Sequence, residues 1–442
     1  MTRLITSVAA LLIATLVLLM GNGLLSTLLS LRLSGEGFAT GSVGFIMAAY
    51  FLGLLLGAIW ASVFVSRAGH SRAFATFAAL ITVASLTHGL YVEPWLWGAL
   101  RFLTGFSMAG LYMVLESWLS ERGQGANRGR LFALYQIVSY LGLGLGQLLL
   151  PLRPVAGTEL FMAGGILFAL CLIPMAMTVA IHPAPLVRNP IRLVAFLRAS
   201  PIGTSLALGS GVLAGSLFAL SPIFVAAHAD AKQVSIFMAA LVFGGMILQY
   251  PIGRLSDIVD RQYLIVAVNA AVAVSAIAVW AVADRGFLLL ITVSMLFGGL
   301  TFTLYPLAVA QLIDRLRDHG FVGLTAGMLL LWGIGAASGP LLIGQLMDWI
   351  GPNGLIVAAA TVAGGLALST LLLRRYPLAP EQQSAFALQG RETGAVPDAD
   401  LAYEALVEAP GAADEAAAEN IDSVDPDTTD NGPQSDRPSE AG

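Results

Sequence analysis

The sequence predicts an all-α membrane protein: twelve transmembrane helices arranged as two six-helix pseudo-repeat bundles, followed by an acidic C-terminal tail. Three observations predict it. The 442 residues are 57% hydrophobic and 11% charged, against roughly 25% charged in a soluble domain. The apolar residues gather in long runs from Leu4 to Leu373, each near the ~20 residues a helix needs to cross a ~30 Å hydrocarbon core. The third observation is that the two halves of this series resemble each other at a fixed offset.

Cutting the runs at charge and Gly/Pro clusters gives spans one to twelve at 4–31, 41–65, 73–92, 95–119, 130–150, 158–181, 202–227, 233–253, 262–283, 286–312, 321–347 and 353–373. The first run is too long for a signal-peptide core and lacks a small-residue cleavage site, so it reads as a retained span. With the N-terminus inside, fifteen arginines fall on the cytoplasmic side, while only Arg32, Arg153, Lys232 and Arg285 fall outside. Basic residues stay on the cytoplasmic side of membrane proteins, so both termini are expected in the cytoplasm, with the protein in a bacterial inner membrane. The longest connection, 182–200, carries prolines and arginines and reads as a cytoplasmic linker. It separates an N-terminal bundle, 1–181, from a C-terminal bundle, 201–375. Residues 376–442 hold fifteen acids and two arginines, a net charge of −13. So acidic a segment, rich in Ala, Pro and Ser, cannot bury enough apolar surface to fold alone and is expected to be a disordered cytoplasmic tail.

Sliding the chain by 193 residues places "LYMVLESWLSER" from Leu111 on "LYPLAVAQLIDR" from Leu304 without a gap. Tyr112 meets Tyr305, and Glu121-Arg122 meets Asp314-Arg315. Gly105, Gly142 and Gly146 meet Gly298, Gly335 and Gly339. Parallel six-helix repeats about an axis along the membrane normal place a solute site near the midplane between them.

Between spans eight and nine lies "QYPIGRLSDIVDRQ", Gln249 to Gln262. Gly253, Asp257 and Arg261 resemble positions of the G-x-x-x-D-[RK]-x-G-[RK]-[RK] loop of the major facilitator superfamily, while Ile258 and Asp260 depart from it. The first-half counterpart, "SVFVSRAGHSRA", keeps Arg67, Gly69 and Arg72 but has Ser62 and Ser66 for the glycine and aspartate. Small residues let membrane helices approach, and an aspartate at a helix end accepts backbone N–H groups beside a dipole. Asp257 is expected to bond in one rocking state and release in the other, with Arg261 holding the loop at the lipid surface. Together with "RFLTGF", "VLESWL", "NRGRLFALYQ", "LSPIFV" and "LLLWGIGAASGP", residues 5–375 resemble the YcaD-like bacterial branch of that superfamily. The resemblance implies an alternating-access transporter fold; it implies no substrate.

Span four is the most informative. Arg101, Gly105, Met108, Tyr112 and Glu116 recur every three or four residues and share one helix face. An arginine at a helix centre costs about 2.5–3.5 kcal/mol on insertion scales and so faces a cavity or a partner; the alternative is that Arg101 snorkels outward. "RFLTG" resembles the Arg-x-x-x-Gly signature of proton antiporters in the superfamily, where the arginine serves proton coupling. Glu116 is either a coupling carboxylate or, the favoured reading, a gate lock paired with Arg128 or Arg130 at the start of span five. Asn22, Gln136 and Tyr305 are further cavity candidates, as are Tyr140, Phe218, Gln249, Gln311 and Trp332. His88 reads as interfacial. Gly142 and Gly146 in span five, and Gly335, Gly339 and Pro340 in span eleven, are expected to let those helices pack closely and bend.

The only cysteine, Cys171, excludes a disulfide within the chain and Cys-type metal sites. No HExxH, Walker or dinucleotide fingerprint occurs, so neither enzyme chemistry nor a cofactor, metal or nucleic acid is expected. The expected function is secondary transport of a small organic solute by a monomer, as a proton-coupled exporter or antiporter. Import, facilitated diffusion, or a receptor or scaffold role on the same fold are the alternatives.

Overall fold

The computed structural model describes residues 2–122, 126–177, 200–315 and 324–374. The expected linker, apart from Ser200, and the acidic tail lie outside the described residues. Within them, twelve helices are long and apolar enough to cross a membrane. Spans one to five are Thr2–Gly35, Thr40–Ala68, His70–Leu90, Pro94–Arg122 and Ala126–Gln147. Span six is Glu159–Leu170 continued by Leu172–Ala176. Spans seven to twelve are Pro201–Ala226, Ala231–Ile258, Arg261–Val282, Phe287–Arg315, Leu324–Ile350 and Gly354–Leu373.

Several ends are set by local chemistry. The Ser200 hydroxyl accepts from the Gly203 N–H at 3.1 Å, with Pro201 at the first helical position of span seven. Asp230 and Gln233 form a reciprocal capping box on span eight. Span two ends at Gly69, whose φ of 83° admits glycine readily and other residues only with strain. This is a structural reason for the glycine in "SRAGHSRA".

Two boundaries differ from expectation. Span eight does not end at Gly253: the helix runs through Pro251 to Ile258, so "GRLSD" is helical and the turn shrinks to Val259 and Asp260. Proline inside a membrane helix is tolerated where neighbouring packing re-satisfies the freed carbonyl. Span six breaks at Cys171, three residues before Pro174, and its helix is described only to Ala176.

Successive helices run in opposite directions. One face therefore collects Arg67, Arg72, Arg130, Arg254, Arg261, Arg315 and Arg374, and is called here the basic face. The opposite face holds the 35–40, 147–159, 226–231 and 350–354 connections. Within the first half, span two packs on four, one on five and on six, and three on four and on six. The second half repeats the scheme with eight on ten, seven on eleven, and nine on ten and twelve. The glycines matched by the 193-residue offset sit at equivalent close approaches. Gly105 faces the Tyr50 carbonyl and Gly298 the Leu241 carbonyl. Gly142 faces the Leu16 carbonyl and Gly335 that of Leu208; Gly146 faces Met20 and Gly339 faces Val212. A side chain at any of these would strike backbone.

The halves meet chiefly through span two with eleven and span five with eight, and through spans one and two with seven. The hydrogen bonds described across these seams lie toward the opposite face. Thr40 and Gly41 donate their backbone N–H groups to Asp348 at 2.7 and 2.9 Å. Ser30 donates to the Ala219 carbonyl at 2.7 Å, and Ser235 to the Gln147 carbonyl at 2.8 Å. Gly44 packs on the Pro340 carbonyl in the same region. Side-chain contact between spans two and eleven continues inward to Phe51 with Trp332 and Leu55 with Gly333.

Candidate functional site

Span four presents Arg101 inward. It is 2% exposed, so it does not snorkel to the surface. Its guanidinium lies 4.3 Å from the centroid of the Tyr50 ring in span two, a cation–π arrangement. Asn22 of span one donates an amide N–H to the Tyr50 hydroxyl at 3.4 Å. Spans one, two and four thereby converge on one cation.

From Tyr50 an aromatic series crosses to the second half. Tyr50 meets Phe51 edge-on at 5.2 Å between centroids, Phe51 meets Trp332 of span eleven at 6.1 Å, and Trp332 meets Tyr305 of span ten at 6.0 Å. Edge-to-face contacts in this range are favourable beyond simple burial. Among the described residues, the Tyr305 hydroxyl and the Trp332 indole N–H have no hydrogen-bond partner, although both rings are buried. In span seven Phe218 stacks on Phe302 at 5.9 Å, one turn of span ten from Tyr305. Arg101, Asn22 and Tyr305 are thus joined through Tyr50, Phe51 and Trp332.

Glu116 belongs to a different level. It is fifteen residues from Arg101, about 22 Å at ~1.5 Å per residue, toward the basic face. Its carboxylate accepts from the Tyr135 hydroxyl at 3.3 Å. Arg130 is exposed and does not pair with it, so the expected lock by that residue is absent from this state; the side chain of Arg128 lies outside the described residues. Tyr112, one turn from Glu116, and Gln136, next to Tyr135, are buried nearby on their helices.

The turn between spans eight and nine is built differently from expectation. Arg261 is 1% exposed and faces protein, not lipid. It donates to the Ser256 hydroxyl at 2.7 Å and the Ala310 carbonyl at 3.2 Å, pairs with Asp314, and lies 3.5 Å from Asp257. A buried guanidinium needs such a set of acceptors, because loss of hydration otherwise outweighs the attraction. Asp260, which departs from the loop pattern, caps span nine by accepting from Gln262 N–H at 2.8 Å, and pairs with Arg374 at 3.0 Å. Arg374 also lies 3.2 Å above the Tyr263 ring. In the first-half loop Arg67 and Arg72 are exposed. His88 is not interfacial either: it is fully buried, held to the Ala84 carbonyl at 2.6 Å and packed on Trp97 and Phe161.

Sequence reasoning missed Tyr50, Phe51, Asp314 and Asp348. Asp314 had a signal, since it falls on Glu121 in the repeat. The aromatics had none, because Tyr-Phe inside an apolar run reads as core. No group of three His, Cys, Asp or Glu side chains that could hold a metal occurs among the described residues.

The comparisons agree with this architecture. The Major Facilitator Superfamily model matches residues 11–322 and, in a second match, 202–411. An uncharacterized MFS-type transporter of Yersinia pestis (strain Pestoides F) is 31% identical over 295 residues, 66% of this chain and 76% of that protein. The uncharacterized MFS-type transporter YcaD of Salmonella newport (strain SL254) is 30% identical over 316 residues, covering 70% and 80%. A crystal structure of a mutant of the nucleoside transporter NupG superposes with a TM-score of 0.69 at 14% identity, over 84% of this chain and all of that one; at that identity it speaks for the fold. Two six-helix halves of one pattern, a family model spanning both, and relatives of the same description leave one assignment: the chain belongs to the major facilitator superfamily.

Proposed function

We propose that this chain is a bacterial inner-membrane secondary transporter that carries a small organic solute by alternating access and couples its export to protons. The observation behind the reading is the position of the inter-half hydrogen bonds, toward the opposite face, with a buried arginine and an aromatic series between the halves. In this reading the protein is open toward the basic face. That face is taken as cytoplasmic by the bias of its arginines, which puts the start of span one and the end of span twelve on the cytoplasmic side. Arg101 holds an anionic or polar part of the solute, while Asn22 and Tyr50 orient the guanidinium. Tyr305 and Trp332 offer donors from the second half. Glu116, with Tyr112, Tyr135 and Gln136 around it, serves as the proton-carrying carboxylate rather than as a lock. The junction of spans eight and nine at Gly253, Asp257 and Arg261, its counterpart at Arg67, Gly69 and Arg72, and the two basic residues Arg128 and Arg130 gate the basic face. The glycines at 142, 146, 335 and 339, with Pro340, keep spans five and eleven close to one and seven as the halves rock.

The test is flux of a panel of organic anions, neutral solutes and cations in inverted vesicles, with and without a pH gradient, in wild type, Arg101→Ala and Glu116→Gln. Gradient-driven flux that disappears in both variants supports the reading. Flux indifferent to the gradient reduces the protein to a facilitator. No flux of any class favours a receptor or scaffold.

A further inference from the structure

The acidic tail has no part in the transport reading, and the basic face has charge left over. Among the described residues of that face, Arg261 is neutralised by Asp314 and Asp257, and Arg374 by Asp260. Arg67, Arg72, Arg130 and Arg254 are different: all four are exposed, and none makes an ion pair. They are drawn from both halves: Arg67 ends span two, Arg72 begins span three, Arg130 lies near the start of span five and Arg254 near the end of span eight. By the order of the spans in the sequence, this side is expected to carry fifteen arginines up to Arg375, against five acids at span ends and connections: Glu121, Asp257, Asp260, Asp314 and Asp318. The segment 376–442 carries a net charge of −13.

We propose that residues 376–442 dock on the arginine face of their own molecule, with Arg67, Arg72, Arg130 and Arg254 as the contact points. The exit of the chain is fixed there: Arg374 is bonded to Asp260 and stacked on Tyr263 at the start of span nine. From that anchor, twenty residues can extend up to about 65 Å at ~3.3 Å per residue, enough to reach any point of the face. Tethering raises the effective concentration to the millimolar range, so contacts that are individually weak between exposed charges suffice when several form together. An anionic bilayer surface repels so acidic a segment, which leaves the arginines as its attractive target. The attraction is between exposed charges, so it weakens as salt shortens the screening length from ~10 Å at 0.1 M.

Cys171 is fully buried, so spin labels can be directed to cysteines introduced at Ser71 and Ala416 of the full-length protein in zwitterionic nanodiscs. Pulsed dipolar spectroscopy is expected to show a short-distance population at about 50 mM salt that falls at least threefold at about 500 mM. The population is expected to vanish when Arg67, Arg72, Arg130 and Arg254 are all changed to Gln. A second variant, with the acids between 398 and 440 changed to their amides, leaves the bundle untouched and should lose the population equally. A distance distribution indifferent to salt, or unchanged in either variant, overturns the proposal. So does loss of the population when anionic phospholipid is added, because lipid is then the occupant of those arginines.

Discussion

Arg101 and Arg261 are both buried arginines, and their surroundings separate their roles. Arg261 has an ion pair and backbone and hydroxyl acceptors within one half, the pattern of a structural clamp. Removing one partner of such a pair costs about 3–5 kcal/mol. Asp314→Asn is therefore expected to lower the thermal midpoint of the purified protein markedly, and Arg261→Met with Asp314→Leu to recover most of the loss. Arg101 rests on the aromatic face of Tyr50, which spans two and four bring together. The cation–π contribution is about 0.5–2 kcal/mol. Tyr50→Phe keeps the ring and is expected to retain most of the flux, whereas Tyr50→Ala should reduce it severalfold with little change in expression. Equal loss in both would place the function in the Tyr50 hydroxyl and its bond to Asn22. Arg101 was legible from its steps of three and four along span four. Its ring partner was not, because nothing in an apolar run distinguishes a tyrosine under a guanidinium from a tyrosine in a core.

At the scale of elements, the start of span two is unusual. Its N-cap residue is Ala39, whose side chain cannot accept a hydrogen bond, and Asp348 supplies the missing acceptor from span eleven. A capping side chain contributes about 1 kcal/mol, more when charged, and here that energy depends on the two halves touching. Asp348→Ala is expected to shift the ratio of closed to open opposite face by about fivefold to thirtyfold, for 1–2 kcal/mol, read as faster labelling of a cysteine at Ser30. A disulfide between cysteines at Thr40 and Asp348 should stop transport until it is reduced. If flux survives that cross-link, this seam does not open in the cycle. The sequence concealed the contact, because a carboxylate bonded to backbone 307 residues away leaves no pairwise signature. It displayed the glycines clearly: close approach admits no side chain, so the repeat offset that aligned Gly105, Gly142 and Gly146 with their partners was already a map of helix contacts. The turn after span eight was misjudged for a local reason. Pro251 and Gly253 read as breakers, yet packing in a membrane bundle carries a helix through both.

At the scale of the molecule, the span count and the division into halves followed from composition, periodicity and repeat. The state could not follow from them, since both ends of each span pair are equally apolar and only folded geometry says which end is bonded. That geometry predicts that a probe pair across the basic face, at residues 72 and 254, reports a longer distance before solute binding than after. A pair at residues 40 and 348 should report the reverse. Movement of both pairs in the same sense would exclude rocking.

The ion pairs described at the basic face have a mechanical consequence. They tie spans eight, nine, ten and twelve to one another, and all of these spans belong to the second half. Among the described residues of the first half at this face, Arg67, Arg72 and Arg130 make no ion pair, and the Glu116 carboxylate accepts from Tyr135. The second half is therefore expected to hold its shape at this end while the first half moves against it. Local opening follows the density of buried contacts. Amide protons near residues 256–263 and 310–314 should then resist replacement by deuterium long after those near 62–72 have exchanged, and solute binding should slow exchange mainly in the first half.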